Sequence, residues 1–204
     1  MQQLEESAAF PFNFIHTVHA HGWIALQPFS WSTDRAELCR IHPLSSGKIV
    51  RICIQARAEP ADSQQISTLQ IDSVQIRVEG VDMLSAHEEA EIRQAVRRML
   101  RLDEDLREFH QLCGSMPNYT PRLQPGAGRL LRCPTLFEDM VYTLCTTNIA
   151  WSGTKRMVER LTTKLGSVVP EQPTWNAFPT PAAIAGAGTE FLRQEIGLGY
   201  RSSY

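Results

Sequence analysis

Apolar positions in this chain change period part-way along it. Val74, Ile76 and Val78 share one face while Gln75 and Arg77 take the other, the period-two pattern of a half-buried strand. Residues 48–56 repeat it, with Val50, Ile52 and Ile54 on one side and Arg51 and Cys53 opposite. Residues 38–44 form another apolar run, and Ser45, Ser46 and Gly47 between the two runs read as a hairpin turn. Residues 10–20 alternate imperfectly until Gly22 interrupts them; Pro28 then limits how far a central strand could run beyond Trp23. Residues 58–65 read as a polar loop. The pattern predicts an antiparallel sheet of about four or five strands, ending near residue 82, with one face left to cover.

Helical spacing takes over at Ser85. Ser85 and Glu88 make a capping box, in which the hydroxyl accepts from the backbone three residues on and the carboxylate reaches back. Ile92, Val96, Met99 and Leu100 follow at helical spacing. A short helix is predicted over 103–113, with Leu102, Leu106, Phe109 and Leu112 on its apolar side, and Gly114 and Pro117 after it. Residues 114–128, rich in proline and glycine, read as a linker or ordered loop. Thr135 and Glu138 form a second capping box, opening a helix to about Thr147 that buries Leu136, Met140, Leu144 and Val141. After a break over 148–152, Met157, Val158, Leu161 and Leu165 recur at core spacing, and Gly166 is placed to end that helix in a left-handed conformation. Thr180 followed by Pro181 is an N-cap with proline at the first helical position. One short helix is predicted over 182–185, and another over 189–196 that Gly197 closes. The chain reads as α+β: a β-rich part with covering helices over 1–118, then a helical part over 119–204.

Composition adds bounds. The 204 residues are 43% hydrophobic, ordinary for a chain with a real core. The N-terminus lacks the basic start and apolar run of a signal peptide, and no stretch has the apolar length of a membrane helix. Five scattered cysteines, none in a Cys-x-x-Cys pair, argue for a reducing compartment and against a disulfide frame or zinc site. The expected location is therefore cytoplasmic, with no membrane partner. The formal charge is −2, but residues 1–118 hold 11 Lys/Arg against 16 Asp/Glu and residues 119–204 hold 9 against 6. The helical part is the basic one, which suits contact with a few phosphates.

Most constellations that invite a chemical reading are weak. His16, His19 and His21, read on a strand, point to both faces with no further ligand nearby, so polar strand positions or aromatic packing are favoured over a metal. Glu88, Glu89 and Glu91, like the acidic residues 103–105, suit the positive end of a helix dipole. Each Gly-x-Gly lacks the preceding strand of a dinucleotide fingerprint. Cys145, on a mostly apolar helix, reads as core. No metal and no cofactor is expected.

The informative stretches are residues 128–139 (Gly-Arg-Leu-Leu-Arg-Cys-Pro-Thr-Leu-Phe-Glu-Asp), 157–161 (Met-Val-Glu-Arg-Leu), 178–181 (Phe-Pro-Thr-Pro) and 197–201 (Gly-Leu-Gly-Tyr-Arg). In this order they resemble DNA base-excision glycosylases of the helix-hairpin-helix superfamily, on its 8-oxoguanine and 3-methyladenine glycosylase side. The resemblance covers 128–204 best and extends to the aromatic pattern near the N-terminus. It implies a curved antiparallel sheet followed by a helical bundle, and hydrolysis of the N-glycosidic bond of a damaged base in double-stranded DNA. Asn148, in the break between two helices, corresponds to an asparagine facing the orphaned base; it also suits a helix C-cap. Tyr200 corresponds to a tyrosine wedged beside the flipped nucleotide, with a half-buried packing role as its alternative. Arg201 corresponds to an arginine offering its planar fork to the orphan base, or else is a surface charge. Lys155, in the following helix, is a candidate phosphate contact.

Two departures accompany the resemblance. Gly153 stands where those enzymes carry an arginine, and a single asparagine replaces their run, so strict reading of a cytosine opposite the lesion is not expected. Trp151 in the same stretch reads as packing against the sheet or a helix rather than DNA. The family's hairpin and catalytic aspartate or lysine do not occur before Tyr204. The expectation is therefore a chain without catalysis as it stands, acting as a non-catalytic DNA- or protein-binding remnant or completed by a separate chain. The 119–204 part is then expected to expose apolar surface and to be loosely packed or prone to association.

Overall fold

A computed structural model describes residues 2–9, 11–57, 73–120, 123–169 and 172–204. The polar loop expected over 58–65 lies outside the described residues.

Five antiparallel strands build the main sheet in the order β1-β5-β4-β3-β2: β1 (Gln2–Ser7), β2 (Phe29–Ser32), β3 (Glu37–Pro43), β4 (Ile49–Ala56) and β5 (Ser73–Glu79). The chain is α+β, as its change of hydrophobic period predicts. Val50, Ile52 and Ile54 of β4 and Val74, Ile76 and Val78 of β5 are buried. These side chains share one core with α2 (Ala86–Leu100), which contributes Ile92, Val96, Met99 and Leu100. Both halves of the predicted capping box are made: Glu88 N donates to Ser85 Oγ at 3.3 Å, and Ser85 N to Glu88 Oε2 at 2.8 Å. The same Glu88 accepts from Ser46 Oγ at 2.7 Å and Lys48 Nζ at 3.0 Å, clamping the β3–β4 hairpin to the start of α2. Those donors hold its carboxyl down at about 2.

The helical half joins this frame through polar and aromatic contacts. It comprises α4 (Leu136–Thr146), α5 (Trp151–Leu165), α6 (Pro181–Ala187) and α7 (Thr189–Phe191), the last continued by a π-helical turn over Leu192–Ile196 and closed by left-handed Gly197. Arg40 on β3 pairs with Glu138 on α4 at 3.0 Å, both buried, and lies 4.8 Å above the Phe29 ring. Arg98 on α2 reaches Asp139 at 2.7 Å. Tyr142 is fully buried; its hydroxyl donates to Gln27 O at 2.6 Å, and its ring meets Trp23 and Phe178 edge-on. Arg129 is buried too and donates to four backbone carbonyls, those of Ala9, Pro11, Arg101 and Glu104. It thereby ties the segment before α4 to the N-terminal part.

Several expectations are corrected. The segment expected as a strand over 10–20 contains a helix, α1 (Phe14–His19): Asn13 caps it by accepting from His16 N, and Phe14, Thr17 and Val18 bury one helical face. The three histidines are consequently not strand residues; His19 sits edge-on to Trp31 and His21 lies against Trp23. Helix α3 (Arg107–Ser115) starts later than expected and buries none of its residues, with Phe109 and Leu112 exposed. Helix α4 turns the other way: Leu136 and Met140 are 65% and 62% exposed, while Glu138, Tyr142 and Cys145 face inward. Gly166 ends α5 with φ −72°, not left-handed; a β-carbon there would collide with Ala177 O and Thr162 O. A small hairpin, β6 (Val168–Val169) and β7 (Gln172–Asn176), follows unanticipated. Finally, Cys39 and Cys53 form a disulfide. They stand directly opposite each other on β3 and β4.

Candidate nucleic-acid interface

The residues singled out by the resemblance meet at the break between α4 and α5. Thr147 ends α4, Asn148 takes a left-handed φ of 44°, and α5 begins at Trp151. Asparagine tolerates that conformation better than other non-glycine residues. Thr154 locks the turn from beneath, its buried hydroxyl donating to Cys145 O at 3.0 Å.

Tyr200 reaches this turn from a 3-10 turn spanning Gly199–Ser203. Its hydroxyl lies 3.1 Å from Thr147 Oγ1 and accepts from Asn148 Nδ2 at 3.3 Å, while the residue stays 52% exposed. These contacts lower the phenol's pKa. Arg201 behaves differently. It is 6% exposed, and its guanidinium donates inward to Leu144 O at 3.2 Å, Thr147 Oγ1 at 3.1 Å, Leu198 O at 3.2 Å and Thr147 O. Two of these carbonyls, Leu144 O and Thr147 O, lie at the end of α4, where a helix leaves its last carbonyls short of intrahelical partners. The guanidinium also sits 4.6 Å from the Tyr200 ring centroid. Asn148, Tyr200 and Arg201 thus form one network, with Asn148 and Tyr200 outward and Arg201 inward.

Lys155 stands apart from that network. It is exposed on α5 and lines a shallow cleft of about 410 Å³ with Ser152, Arg156, Ala25 and Gln27, and with Glu159 one turn further along the helix. The first turn of α5 carries no acidic residue, so its positive dipole end is uncompensated by a carboxylate there. Trp151 packs on the turn at Gly22, its ring 3.4 Å from where a β-carbon would sit, and remains 39% exposed.

Gly153 has a local reason. A β-carbon there would lie 2.4 Å from Ile149 Cδ1. Ile149 folds over the first turn of α5 and occupies the space that a longer side chain at position 153 would need. This pairing was not apparent from the spacing alone.

Beside the network runs an apolar groove of about 650 Å³, with Leu136, Met140 and Leu144 of α4 on one wall and Ile184, Leu192 and Leu198 on the other.

No protein-family model matches the chain. Its fold is similar to that of a 3-methyladenine DNA glycosylase from Archaeoglobus fulgidus, at 18% identity and a TM-score of 0.69, over all of this chain and 64% of that one. It is also similar to MBOgg1, solved in complex with a low-affinity DNA ligand, at 15% identity and a TM-score of 0.64, over all of this chain and 60% of that one. The fold is glycosylase-like, and the chain spans less than two thirds of the length of either protein.

Proposed function

We infer that this chain is the duplex-handling part of a DNA-repair glycosylase. In this reading it binds double-stranded DNA at an opened base pair, and the activity it serves is hydrolysis of a damaged base's N-glycosidic bond. The observation that carries the reading is the Tyr200–Asn148–Thr147 network, held outward at a helix break on a glycosylase-like fold. A flipped base leaves a gap that a side chain must hold open, and a widowed partner base that needs polar contacts. The exposed Tyr200 ring suits the first task and the Asn148 amide the second. Lys155 and the first turn of α5 suit a backbone phosphate, by charge and by helix dipole.

Arg201 is a positioning residue in this scheme. Its donors are taken by carbonyls of the α4 end and of Leu198, so it acts through Tyr200 and Thr147 rather than on a base. Glycosidic cleavage needs a carboxylate or an amine. None of Thr147, Asn148, Tyr200 and Arg201 is either, so the network holds the substrate and leaves the cleavage to other groups.

Fluorescence anisotropy with a duplex carrying one abasic-site analogue, against the intact duplex, tests the reading. Tighter binding to the abasic-site duplex is expected. Tyr200→Ala removes that preference, while Lys155→Ala weakens both and lowers the salt slope by about 1. Equal affinity for both duplexes, unaltered by Tyr200→Ala, overturns it.

A further inference from the structure

The face of the sheet turned away from α2 carries a second chemical cluster, far in sequence from the DNA-handling residues. Glu37 and Cys39 lie two apart on β3 and so share a face, and Cys53 stands opposite Cys39 on β4. One ligand atom from each lies within 4.8 Å of the others, and all three residues are at most 3% exposed. Glu37 Oε2 is 3.4 Å from Cys39 Sγ. The Cα atoms of the two cysteines are 4.1 Å apart, the close spacing of a non-hydrogen-bonded antiparallel pair, which aims both sulfurs at one point. On the other side of Cys53, Arg77 of β5 donates to Glu37 Oε1 at 2.7 Å.

We propose that Glu37, Cys39 and Cys53 form a redox-gated site for a thiophilic divalent cation, Zn2+ by the character of its donors, and that the disulfide is the closed state of that site. Two sulfurs and a carboxylate oxygen are ligands zinc takes, at about 2.3 Å and about 2.0–2.2 Å respectively, leaving one position for water. Charge favours the same ion. Two thiolates and a carboxylate carry three negative charges, and a divalent cation with the Arg77 guanidinium cancels them at a buried site; Glu79, which also pairs with Arg77, is matched by Arg51. A monovalent cation would leave a buried negative charge unbalanced, which a low-dielectric site disfavours. The coordinated thiols are deprotonated by the metal itself.

The gating step balances with a low-molecular-weight disulfide as oxidant. The two cysteine thiolates give up two electrons and join as Cys39–Cys53. The oxidant takes those electrons with two protons and leaves as two thiols, and the cation departs because a disulfide sulfur is no longer an anionic ligand. Reduction by a dithiol reverses each change.

The test uses the full 204-residue chain, Co2+ as a spectroscopic probe and Zn2+ in equilibrium dialysis. Protein reduced with a phosphine is expected to bind one Zn2+ and to show a thiolate-to-cobalt charge-transfer band in the near ultraviolet. Protein oxidised with glutathione disulfide is expected to show neither and to recover both on reduction. Glu37→Gln, checked for folding by circular dichroism, weakens Zn2+ binding at least about tenfold. Cys39→Ser abolishes the band, and Cys113→Ser leaves it unchanged. The proposal is overturned by no band in the reduced protein, by equal binding in both redox states, or by a band that survives in Cys39→Ser.

Discussion

Helices α2 and α4 sit on the same core but are held there by different forces. On α2 the apolar side chains lie along one side: Ile92, Val96, Met99 and Leu100 are completely buried, and the arginines point outward to carboxylates. Its single apolar stripe is enough to select the inward face, and the polar contacts of Glu88, Arg93 and Arg98 run along the flanks of that stripe. Helix α4 is apolar on two sides, and its inward side is chosen by polar contacts, Arg40 to Glu138 and the Tyr142 hydroxyl to Gln27 O. Its outward side keeps Leu136 and Met140 in contact with solvent. An amphipathic helix docks by its stripe, whereas an apolar helix needs a directional bond to say which stripe.

That contrast is breakable. Arg40→Ala leaves Glu138 buried without its partner and is expected to lower stability by about 3–5 kcal/mol, read from urea unfolding. An effect as small as that of a surface substitution would mean that apolar packing alone seats α4. His42, on the same face of β3 as Arg40, comes next. Burial first, and the Arg40 charge second, push its imidazole down to about 3. The folded protein therefore resists a proton that the unfolded chain accepts below about 6.5. The stability this group contributes is complete above that value and is lost as pH falls from about 6.5 toward 3. Unfolding midpoints between pH 7 and 5 should fall, and His42→Leu should flatten the slope; an unchanged slope would count against the burial.

Smaller effects belong to single helix features. Ser85→Ala removes the α2 cap and is expected to cost about 1 kcal/mol by the same assay. Leu136→Gln combined with Met140→Gln touches only the outward side of α4 and should stay within about 0.5 kcal/mol per substitution, while reducing any self-association seen in sedimentation velocity. Destabilisation well beyond that would place those side chains inside the core.

Much of the fold is legible in the sequence. The faces of β4 and β5, the caps at Ser85, Thr135 and Thr180, the body of α5 and the Gly197 stop follow from periodicity and cap chemistry alone. The box expected at Thr135 and Glu138 is only half made, because the Glu138 carboxylate turns to Arg40. Helix α1 was missed because its alternation looked extended, and the decisive group, the Asn13 cap, precedes only six helical residues. The inward face of α4 was missed because LFEDMVYTLCT offers apolar residues on both sides, and the Arg40 that selects between them lies 98 positions away. The disulfide was within reach, since a hairpin centred on Ser46 places Cys39 opposite Cys53. In the candidate interface, resemblance named Asn148, Tyr200 and Arg201. That the first two touch across 52 residues, and that Arg201 faces inward, depends on how the last turns fold back on α4.

The central claim is that Tyr200 holds an opened duplex while Asn148 faces the widowed base. A duplex with 2-aminopurine opposite an abasic-site analogue reports this directly, because the probe brightens when it leaves the stack. Saturating wild-type protein is expected to raise its fluorescence, Tyr200→Ala to bind without the rise, and Asn148→Ala to give a reduced one. A rise of the same size with Tyr200→Ala would contradict the account.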